Sequence, residues 1–562
     1  STIRVFLPTC EDIVRWHHNH HRIRIKIMPA DPVEEVFAPA PSPVIEPTST
    51  RIVFYPFAYA LFTNELASYC WYCLKPDSKK RHCTGCGFAL FCNKECQTLG
   101  WKDHKAECKG FRTAKSVPDI ETRILGRIVV RYRAIKNGKD KEDEYFYKDR
   151  QSKREIMEIW SHHEDMQKDP NAQQKFEEIW SQLVSFYDKK FMLPKDIVWQ
   201  LHCRDYINRH AICDRGYNKE IGKGLYLDLC QYDHSCRPNS IYTCDGFVAT
   251  LRSLERGVDI RNISKTSYTY IDLLNPIQQR RKLLRDTWYF NCECERCTDP
   301  ADNLLTAVLC PNCPDGGQLV LCIFGSHPYK DPKSLKITCP KCSQTLSNEY
   351  VAYAIEQMRN VDKVFESEQL GQMKTRKEQL DYLNDLFEQY SSILPPTNVF
   401  LGRIIQGLIE RVHSNEDLLR LHLASEPCVR LCFPKLHPAV AFHIRNIGIF
   451  LSNLEQFEEA IPYFQEADQM LSFIFEADHQ LVIENRELLE IAKSKTEARG
   501  VSNLQVTQEA NGDILTEGVV KLAVAPPVVN TPDVPVNGDN GETKPLIDCS
   551  GDFDDMPPLV AE

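Results

Sequence analysis

Four closely spaced pairs of metal-ligating residues lie within about forty positions near the start of the chain. Zinc is bound by four tetrahedral sulfur or nitrogen ligands, and a short Cys-x2-Cys turn lets two thiolates reach one ion. Four such pairs therefore predict two zinc sites. A disulfide scaffold is the alternative, but it needs an oxidising compartment, and the sequence has no secretory signal pattern. The pairs are Cys70 and Cys73, Cys83 and Cys86, Cys92 and Cys96, and His104 and Cys108.

Further cysteines follow in two more groups. The spacing Cys292-x-Cys294-x2-Cys297 offers three thiolates to an ion and needs a fourth ligand, which Cys236 can supply. The last group has two Cys-x2-Cys turns typical of a zinc ribbon, which predicts a fourth zinc site. Packing of four small buried cysteines is the alternative, but packing alone rarely gives paired spacings. This last group is Cys310, Cys313, Cys339 and Cys342.

Two polar and aromatic segments between these cysteine groups carry the residues best suited to a catalytic site. The first is Tyr232-Asp-His-Ser-Cys-Arg-Pro-Asn239, and the second is Tyr268-Thr-Tyr-Ile-Asp272. We predict that the two segments belong together. A lone tyrosine in a strand usually packs in a core, but Tyr270 stands after Asp-His-Ser-Cys and before Cys-x-Cys-x2-Cys, which favours a role in a site.

With these motifs in this order, the chain resembles the SET-and-MYND (SMYD) family of protein-lysine methyltransferases over roughly residues 50 to 480. The resemblance implies an α+β multidomain fold. It comprises a split β-rich SET domain with an inserted MYND zinc finger, a post-SET zinc site and a carboxy-terminal TPR-like α-helical domain. It also implies that the finger's pairs interleave. One ion would be held by Cys70, Cys73, Cys92 and Cys96, and the other by Cys83, Cys86, His104 and Cys108.

The resemblance also implies roles for individual residues. Asp233 and His234 stand at the first two positions of the family's N-H-S-C motif, which contact S-adenosylmethionine, and Cys236 would bind the post-SET zinc. Tyr270 corresponds to the active-site tyrosine of the Y-L-D motif. Two further positions match cofactor-contacting residues of the family: the aromatic Phe290 before the post-SET cysteines, and Asn208, which matches the asparagine of an N-S-F segment.

Methyl transfer from a sulfonium to a neutral amine is an in-line displacement. Most of its acceleration can come from positioning and from desolvating the lysine in a narrow aromatic channel, which Tyr268 and Tyr270 suit. Lysine titrates near 10.4 in water, so the site must favour the deprotonated amine, which burial beside a cationic sulfonium does.

Three positions depart from the family pattern. Residues 1–69 contain no glycine, whereas the family has a G-x-G-L cofactor loop there, and Gly222-Lys-Gly224-Leu225 aligns with a different segment. Asp233 replaces asparagine, which keeps an acceptor for the cofactor's ammonium but removes an amide donor. Ile263-Ser264-Lys265 replaces the family's Gly-Glu-Glu. The missing loop indicates either an incomplete amino-terminal sequence or loss of the enzyme.

Two functions therefore stay open. One is an S-adenosylmethionine-dependent lysine methyltransferase that acts on a histone or another protein in the cytoplasm or nucleus. The other is a catalytically impaired MYND and TPR adaptor, a transcriptional co-regulator whose finger binds proline-rich partners. Zinc and S-adenosylmethionine are the expected cofactors, and we expect a monomer.

Composition excludes other classes. The chain has 562 residues, which is enough for three or four domains, with 26% charged and 42% hydrophobic residues. No stretch approaches the ~20 apolar residues of a membrane helix. A net charge of -10 argues against a chain that coats nucleic acid and favours a protein partner.

Changes in composition and hydrophobic periodicity along the chain predict the domains that position these residues. Helical periodicity places Ile156, Ile159, Trp160, Phe176, Ile179, Trp180, Leu183 and Val184 in a core. The small and aromatic positions of one tetratricopeptide unit are Gly448, Phe457, Ala460, Phe464 and Ala467. The predicted divisions are 1–46, poorly ordered; 47–69, the amino-terminal part of SET; 70–108, MYND finger; 109–195, helical insertion; 196–290, core SET; 291–345, post-SET site and zinc ribbon; 346–498, TPR-like domain; and 499–562, a disordered tail.

Overall fold

The computed structural model describes residues 51–76, 79–114, 116–140, 154–217, 219–313, 318–319, 337–366, 369–510 and 556–561. The predicted poorly ordered segment 1–46 lies outside them. The strands are β1 Arg51–Phe54, β2 Ala58–Leu61, β3 Arg81–Cys83, β4 Leu90–Phe91, β5 Arg209–Cys213, β6 Glu220–Leu225, β7 Asp233–His234, β8 Ser240–Asp245, β9 Val248–Ser253, β10 Ser267–Tyr268, β11 Val308–Leu309, β12 Gln318–Leu319 and β13 Leu559–Ala561.

Helices make up most of the rest. They are α1 Lys94–Thr113, α2 Ile120–Lys136, α3 His163–Lys168, α4 Pro170–Phe186, α5 Lys195–Asn208, α6 Ile277–Trp288, α7 Glu295–Thr298, α8 Asn348–Glu366, α9 Gln369–Gln372, α10 Arg376–Ser391, α11 Val399–Ile409, α12 Asn415–Cys432, α13 Pro438–Asn453, α14 Phe457–Ile474 and α15 Gln480–Ala510. Among these helices, none is both long enough and apolar enough to cross a membrane.

Strands from before the zinc finger complete sheets that form after it. β1 pairs antiparallel with β9, in a sheet of order β1-β9-β8, and β2 pairs antiparallel with β6, in a sheet of order β2-β6-β5. The finger is therefore inserted into a β-rich domain, which confirms the predicted split architecture. A Cβ at Gly222 would lie 2.3 Å from the carbonyl oxygen of Ala60, so glycine permits this close pairing of β6 with β2.

Three arginines of α2 satisfy the other edge of β2. Arg123, Arg127 and Arg131 recur every four residues and therefore share one helix face. They donate to the carbonyl oxygens of Leu61, Tyr59 and Phe57 at 2.9, 2.5 and 2.7 Å, respectively. All three side chains are almost fully buried. The guanidinium groups thus take the place of a neighbouring strand, since buried carbonyls need donors.

Arg127 also holds the finger against this domain, and we expect its loss to be costly. Its guanidinium forms a bidentate pair with Glu107 of α1, with both N–O distances 3.0 Å. Arg127→Met would leave the Glu107 carboxylate buried without its partner, which costs about 3–5 kcal/mol. We therefore predict a drop of that size in the free energy of unfolding, measured with urea. Arg133→Met on the same helix is the control and should change stability by less than ~0.5 kcal/mol; equal effects of the two variants would contradict this role.

The helical layer confirms part of the predicted core. Ile156, Ile159, Phe176, Ile179 and Leu183 are buried in one cluster with α2 and α5. Two predictions were wrong. Trp160 is 77% exposed, because it lies after a short 3-10 turn and not on a helix. Val184 is 47% exposed, because it follows the buried Leu183 on α4 and therefore points to a different face of the helix.

The carboxy-terminal helices stack in antiparallel pairs. A Cβ at Gly448 of α13 would lie 2.9 Å from the ring of Phe464 in α14, and Ala460, Phe464 and Ala467 are buried. Small residues thus let the two helices approach, as the tetratricopeptide pattern predicts. The region assigned to a disordered tail differs from that prediction at both ends: α15 continues to Ala510, and β13 pairs with β3. Residues 511–555 lie outside the described part of the chain.

Candidate functional site

The two catalytic segments predicted from the sequence lie side by side. β10 runs parallel to β7, with Ser267 opposite Asp233 and Tyr268 opposite His234. The amide of Ser235 donates to the carbonyl oxygen of Tyr268 at 3.0 Å. The pairing brings Tyr270, two residues beyond β10, against His234, so residues thirty-six positions apart become neighbours.

Tyr270 is held by its backbone and by its hydroxyl. Its amide donates to Nδ1 of His234 at 3.0 Å, and its hydroxyl donates to the carbonyl oxygen of Tyr232 at 2.7 Å. Burial, and then the nearby Asp233 carboxylate, raise the pKa of Tyr270 above its usual range. The phenol therefore stays protonated at neutral pH. Because its proton is directed at Tyr232, its oxygen keeps lone pairs with which to accept a hydrogen bond.

Aromatic rings surround this hydroxyl. The Tyr270 ring lies 5.1 Å from that of Tyr268, 5.5 Å from that of Trp288 and 5.3 Å from that of His234, between ring centroids. The Tyr268 hydroxyl hydrogen-bonds to Nε2 of His210 at 2.6 Å and is buried. Tyr268 therefore supports Tyr270 from the core side, whereas Tyr270 and Trp288 are only partly buried.

His234 connects the tyrosine to the post-SET cysteines. Because Nδ1 accepts the Tyr270 amide, the proton of the neutral ring lies on Nε2, which faces Sγ of Cys236 at 3.2 Å. Burial lowers the pKa of His234 to about 4, since the protonated ring loses its hydration. The imidazole is therefore neutral at pH 7, with its tautomer set by the backbone.

Asp233 and Phe290 border the same cluster. Phe290 lies 6.2 Å from the His234 ring between centroids. The Asp233 side chain is exposed, and among the described residues no cation or hydrogen-bond donor pairs with its carboxylate. A free carboxylate beside aromatic rings suits a ligand that carries positive charge, because it adds Coulomb attraction to the attraction of the ring faces for a cation.

Asn208 lies at the carboxyl end of α5, and its side-chain amide group donates hydrogen bonds to two backbone carbonyls. Nδ2 donates to the carbonyl oxygens of Trp160 at 2.7 Å and Arg204 at 2.8 Å. In the described part of the chain, no hydrogen bond joins its side chain to Asp233, His234, Tyr270 or Phe290. The structure thus brings those four residues together and leaves Asn208 at the border, where its predicted cofactor contact stays a prediction.

Three contributors to the site were not identified from the sequence. Trp288 packs on Tyr270 and donates from its indole nitrogen to the carbonyl oxygen of Ile207 at 2.8 Å. His210 anchors Tyr268, and the backbone of Tyr232 orients Tyr270. The aromatic sequence Trp288-Tyr-Phe290 before the post-SET cysteines could have indicated Trp288. The roles of His210 and of the Tyr232 backbone depend on strand pairing, which no local sequence pattern indicates.

The predicted zinc ligands converge in four tetrads. Within each tetrad all ligand atoms lie within 4.8 Å of one another. A tetrahedron with Zn–S bonds of ~2.3 Å has S–S edges of about 3.8 Å. The observed separations fit: 3.7 Å for Cys73 and Cys92, 3.9 Å for Cys83 and Cys108, and 3.8 Å for Cys310 and Cys342. The tetrads are Cys70, Cys73, Cys92 and Cys96; Cys83, Cys86, His104 and Cys108; Cys236, Cys292, Cys294 and Cys297; and Cys310, Cys313, Cys339 and Cys342.

This geometry suits zinc better than disulfides, since every cysteine of the four tetrads is unbridged. It confirms that the finger's pairs interleave and that Cys236 joins the post-SET cysteines. Two buried arginines support that third tetrad. Arg280 reaches Sγ of Cys297 at 3.7 Å, and Arg296 donates to the carbonyl oxygens of Cys236 and of Cys432 in α12. Positive charge there offsets the thiolates and ties the site to the helical stack.

Comparisons with known proteins agree with this architecture. The MYND finger family model matches residues 70–108. N-lysine methyltransferase SMYD2-B of Danio rerio is 24% identical over 446 residues, which cover 77% of this chain and 90% of that protein. Histone-lysine N-methyltransferase SMYD3 of Homo sapiens is 28% identical over 251 residues, 43% of this chain and 54% of that protein. SET domain-containing protein 14 of Caenorhabditis elegans is 27% identical over 277 residues, 47% of this chain and 61% of that protein.

The chain is therefore a homologue of the SMYD lysine methyltransferases at about 25% identity, and it contains a MYND finger.

Proposed function

We propose that this homologue of the SMYD lysine methyltransferases is itself a protein-lysine N-methyltransferase that uses S-adenosylmethionine. Its substrate would be a lysine of a histone or of another protein in the cytoplasm or nucleus. One observation carries the proposal: the Tyr270 hydroxyl, fixed on the Tyr232 carbonyl, lies in an aromatic cluster next to the exposed Asp233 carboxylate.

The residues present suit S-adenosylmethionine, which carries an ammonium and a sulfonium. Asp233 would attract these cationic groups, and His234 and Phe290 would border the bound molecule. Bound S-adenosylmethionine would supply the methyl group on its sulfonium. The chain's own contribution is to place an amine in line with it and to exclude water, which accounts for most of the acceleration that such a displacement needs.

Tyr270 is the group we assign to the lysine. Its oxygen can accept one N–H of the incoming amine, because its own proton is held by the Tyr232 carbonyl. That hydrogen bond would fix the direction of the nitrogen lone pair. The surrounding rings of Tyr268 and Trp288 would strip water from the lysine side chain, and desolvation lowers the pKa of an amine and so favours its neutral, nucleophilic form.

A second candidate function is the adaptor in which the finger binds proline-rich protein partners. Sequence departures at Asp233 and in residues 1–69 favour it, and so does one structural observation: β3 of the finger carries an extended proline-containing segment along its edge. The two functions are separable by experiment, because the adaptor needs neither Tyr270 nor bound S-adenosylmethionine.

Binding of S-adenosylmethionine is the test of the proposed enzyme. We expect micromolar or tighter binding by calorimetry to the zinc-loaded protein, and at least about tenfold weaker binding to Asp233→Lys, because a cation replaces the carboxylate that faces the ligand. Glu388→Lys in α10, which makes the same charge change far along the chain, should bind as the unaltered protein does. Absence of binding, or equal binding by Asp233→Lys, would overturn the assigned pocket.

A further inference from the structure

A short segment near residue 560 forms the outer strand of the finger's sheet. β13 pairs antiparallel with β3, with Leu559 opposite Cys83, Val560 opposite His82 and Ala561 opposite Arg81, in a sheet of order β13-β3-β4. The strand adds main-chain pairing to an edge that would otherwise present unpaired groups. Residues more than four hundred and seventy positions apart are thereby joined.

Two prolines before this strand bind through their carbonyl groups. The amide and the hydroxyl of Thr84 both donate to the Pro558 oxygen, at 3.0 and 2.7 Å. Nε2 of Gln97, on α1, donates to the Pro557 oxygen at 2.7 Å, and the Gln97 side chain is fully buried. Proline suits both positions, because the finger supplies hydrogen-bond donors and proline has a carbonyl acceptor but no N–H that would be left unpaired.

The finger also has space shaped for the first proline. A Cβ at Gly85 would lie 2.7 Å from Cγ of Pro557 and 3.0 Å from Sγ of Cys108, so a larger residue there would collide with the proline ring. Leu559 packs against the hydrophobic cluster that contains Cys83 and Phe91. The finger therefore binds consecutive residues of one extended segment through steric fit, apolar packing and hydrogen-bond donors.

The occupant suited to this edge is thus an extended peptide with two prolines followed by aliphatic residues. The chain carries such a peptide itself.

We propose that Pro557–Ala561 occupies the peptide-binding edge of the finger in cis, so that a protein partner with an extended Pro-Pro-aliphatic segment must displace it. Residues 511–555 connect this segment to α15 in the same chain. Tethering gives the segment an effective concentration near the millimolar range. If the untethered segment binds the bare edge with a Kd of about 100 μM, a competing partner would then lose about tenfold in apparent affinity.

The test uses the full zinc-loaded chain and a fluorescent peptide with the sequence of residues 552–562 as probe. By fluorescence anisotropy, the unaltered protein should bind the probe at least about tenfold more weakly than Leu559→Asp, whose own segment no longer packs on the finger. Ile491→Asp introduces the same charge at a position of α15 that is 53% exposed and lies outside the segment, so it should behave as the unaltered protein does.

Four further measurements make each outcome decisive. Zinc content and melting temperature of Leu559→Asp should match the unaltered protein. Adding Thr84→Ala and Gln97→Ala to Leu559→Asp should weaken probe binding about tenfold, which locates the probe on this edge. Sedimentation should show a monomer before and after the Leu559→Asp change. Equal probe affinity in both proteins, no probe binding by either, or a dimer that Leu559→Asp dissociates would each overturn occupancy in cis.

Discussion

A Tyr270→Phe variant is expected to lose at least about a hundredfold in the rate of lysine methylation while it keeps its fold, its zinc and its affinity for S-adenosylmethionine. Loss of one preorganised hydrogen-bonding group from a site typically costs ~10²–10³ in kcat. The phenylalanine ring retains the contacts with Trp288 and His234, so only the oxygen that would receive the lysine amine disappears. The loss should therefore fall on kcat rather than on KM.

Tyr232→Phe provides the matched control. The Tyr232 hydroxyl donates to the carbonyl oxygen of Ile260 at 3.0 Å, a bond of the same type as that between Tyr270 and Tyr232. Each change removes one phenol-to-carbonyl bond, worth about 1 kcal/mol of stability. Both variants should consequently melt at similar temperatures. Only Tyr270→Phe should lose methyltransferase activity, measured with a mixture of lysine-containing proteins as substrate. Full activity in Tyr270→Phe, or equal loss in both variants, would contradict the role assigned to Tyr270.

The ligand sets of this protein are readable from the sequence because zinc imposes its own geometry. Ligand residues separated by one to three positions predict a shared ion, so spacing indicated fifteen of the sixteen predicted ligands, and Cys236 was added as the fourth ligand that the post-SET cysteines need. Which pairs meet is a tertiary fact, and family resemblance supplied the interleaving. Family resemblance also supplied the roles predicted for Asp233, His234, Tyr270 and Phe290, which stand at positions of the family's motifs.

Other features depend on chain pairing that no local pattern reveals. Arg123, Arg127 and Arg131 look like the solvated face of a helix, yet they are buried because β2 and the residue before it offer them three carbonyls. Trp160 has the spacing of a core residue, but the helix that would bury it does not form. β13 lies in a stretch without periodicity and gains its structure from β3, more than four hundred positions away.

The post-SET tetrad adjoins the candidate site through Cys236. This cysteine belongs to the tetrad, and its sulfur faces the His234 ring whose other nitrogen holds the Tyr270 backbone. Arg280 and Arg296 are buried beside the thiolates. Without zinc, the thiolates would take up protons and lose their charge, and these guanidinium groups would lose that negative charge while keeping Asp302 as a counterion. Structural zinc binding contributes about 10–16 kcal/mol in small zinc domains, comparable to the ~5–15 kcal/mol of a whole domain's stability.

We therefore expect Cys236→Ser to lose one zinc per chain and, with it, both S-adenosylmethionine binding and methyl transfer. Cys313→Ser in the fourth tetrad is the matched control: it should also lose one zinc, measured by elemental analysis, yet keep S-adenosylmethionine binding, because Cys313 packs in a hydrophobic cluster of the carboxy-terminal helices that is separate from the cluster of Cys236 and Tyr270. The unaltered protein should hold four. A Cys236→Ser protein that keeps its zinc or its S-adenosylmethionine affinity, or a Cys313→Ser protein that loses that affinity equally, would show that the third ion does not organise the site. Each variant removes one thiolate from a four-sulfur site, so both should lose a similar amount of stability. Only the site of Cys236 adjoins Tyr270, and a difference in S-adenosylmethionine binding between the two variants would therefore be due to the position of the lost ion.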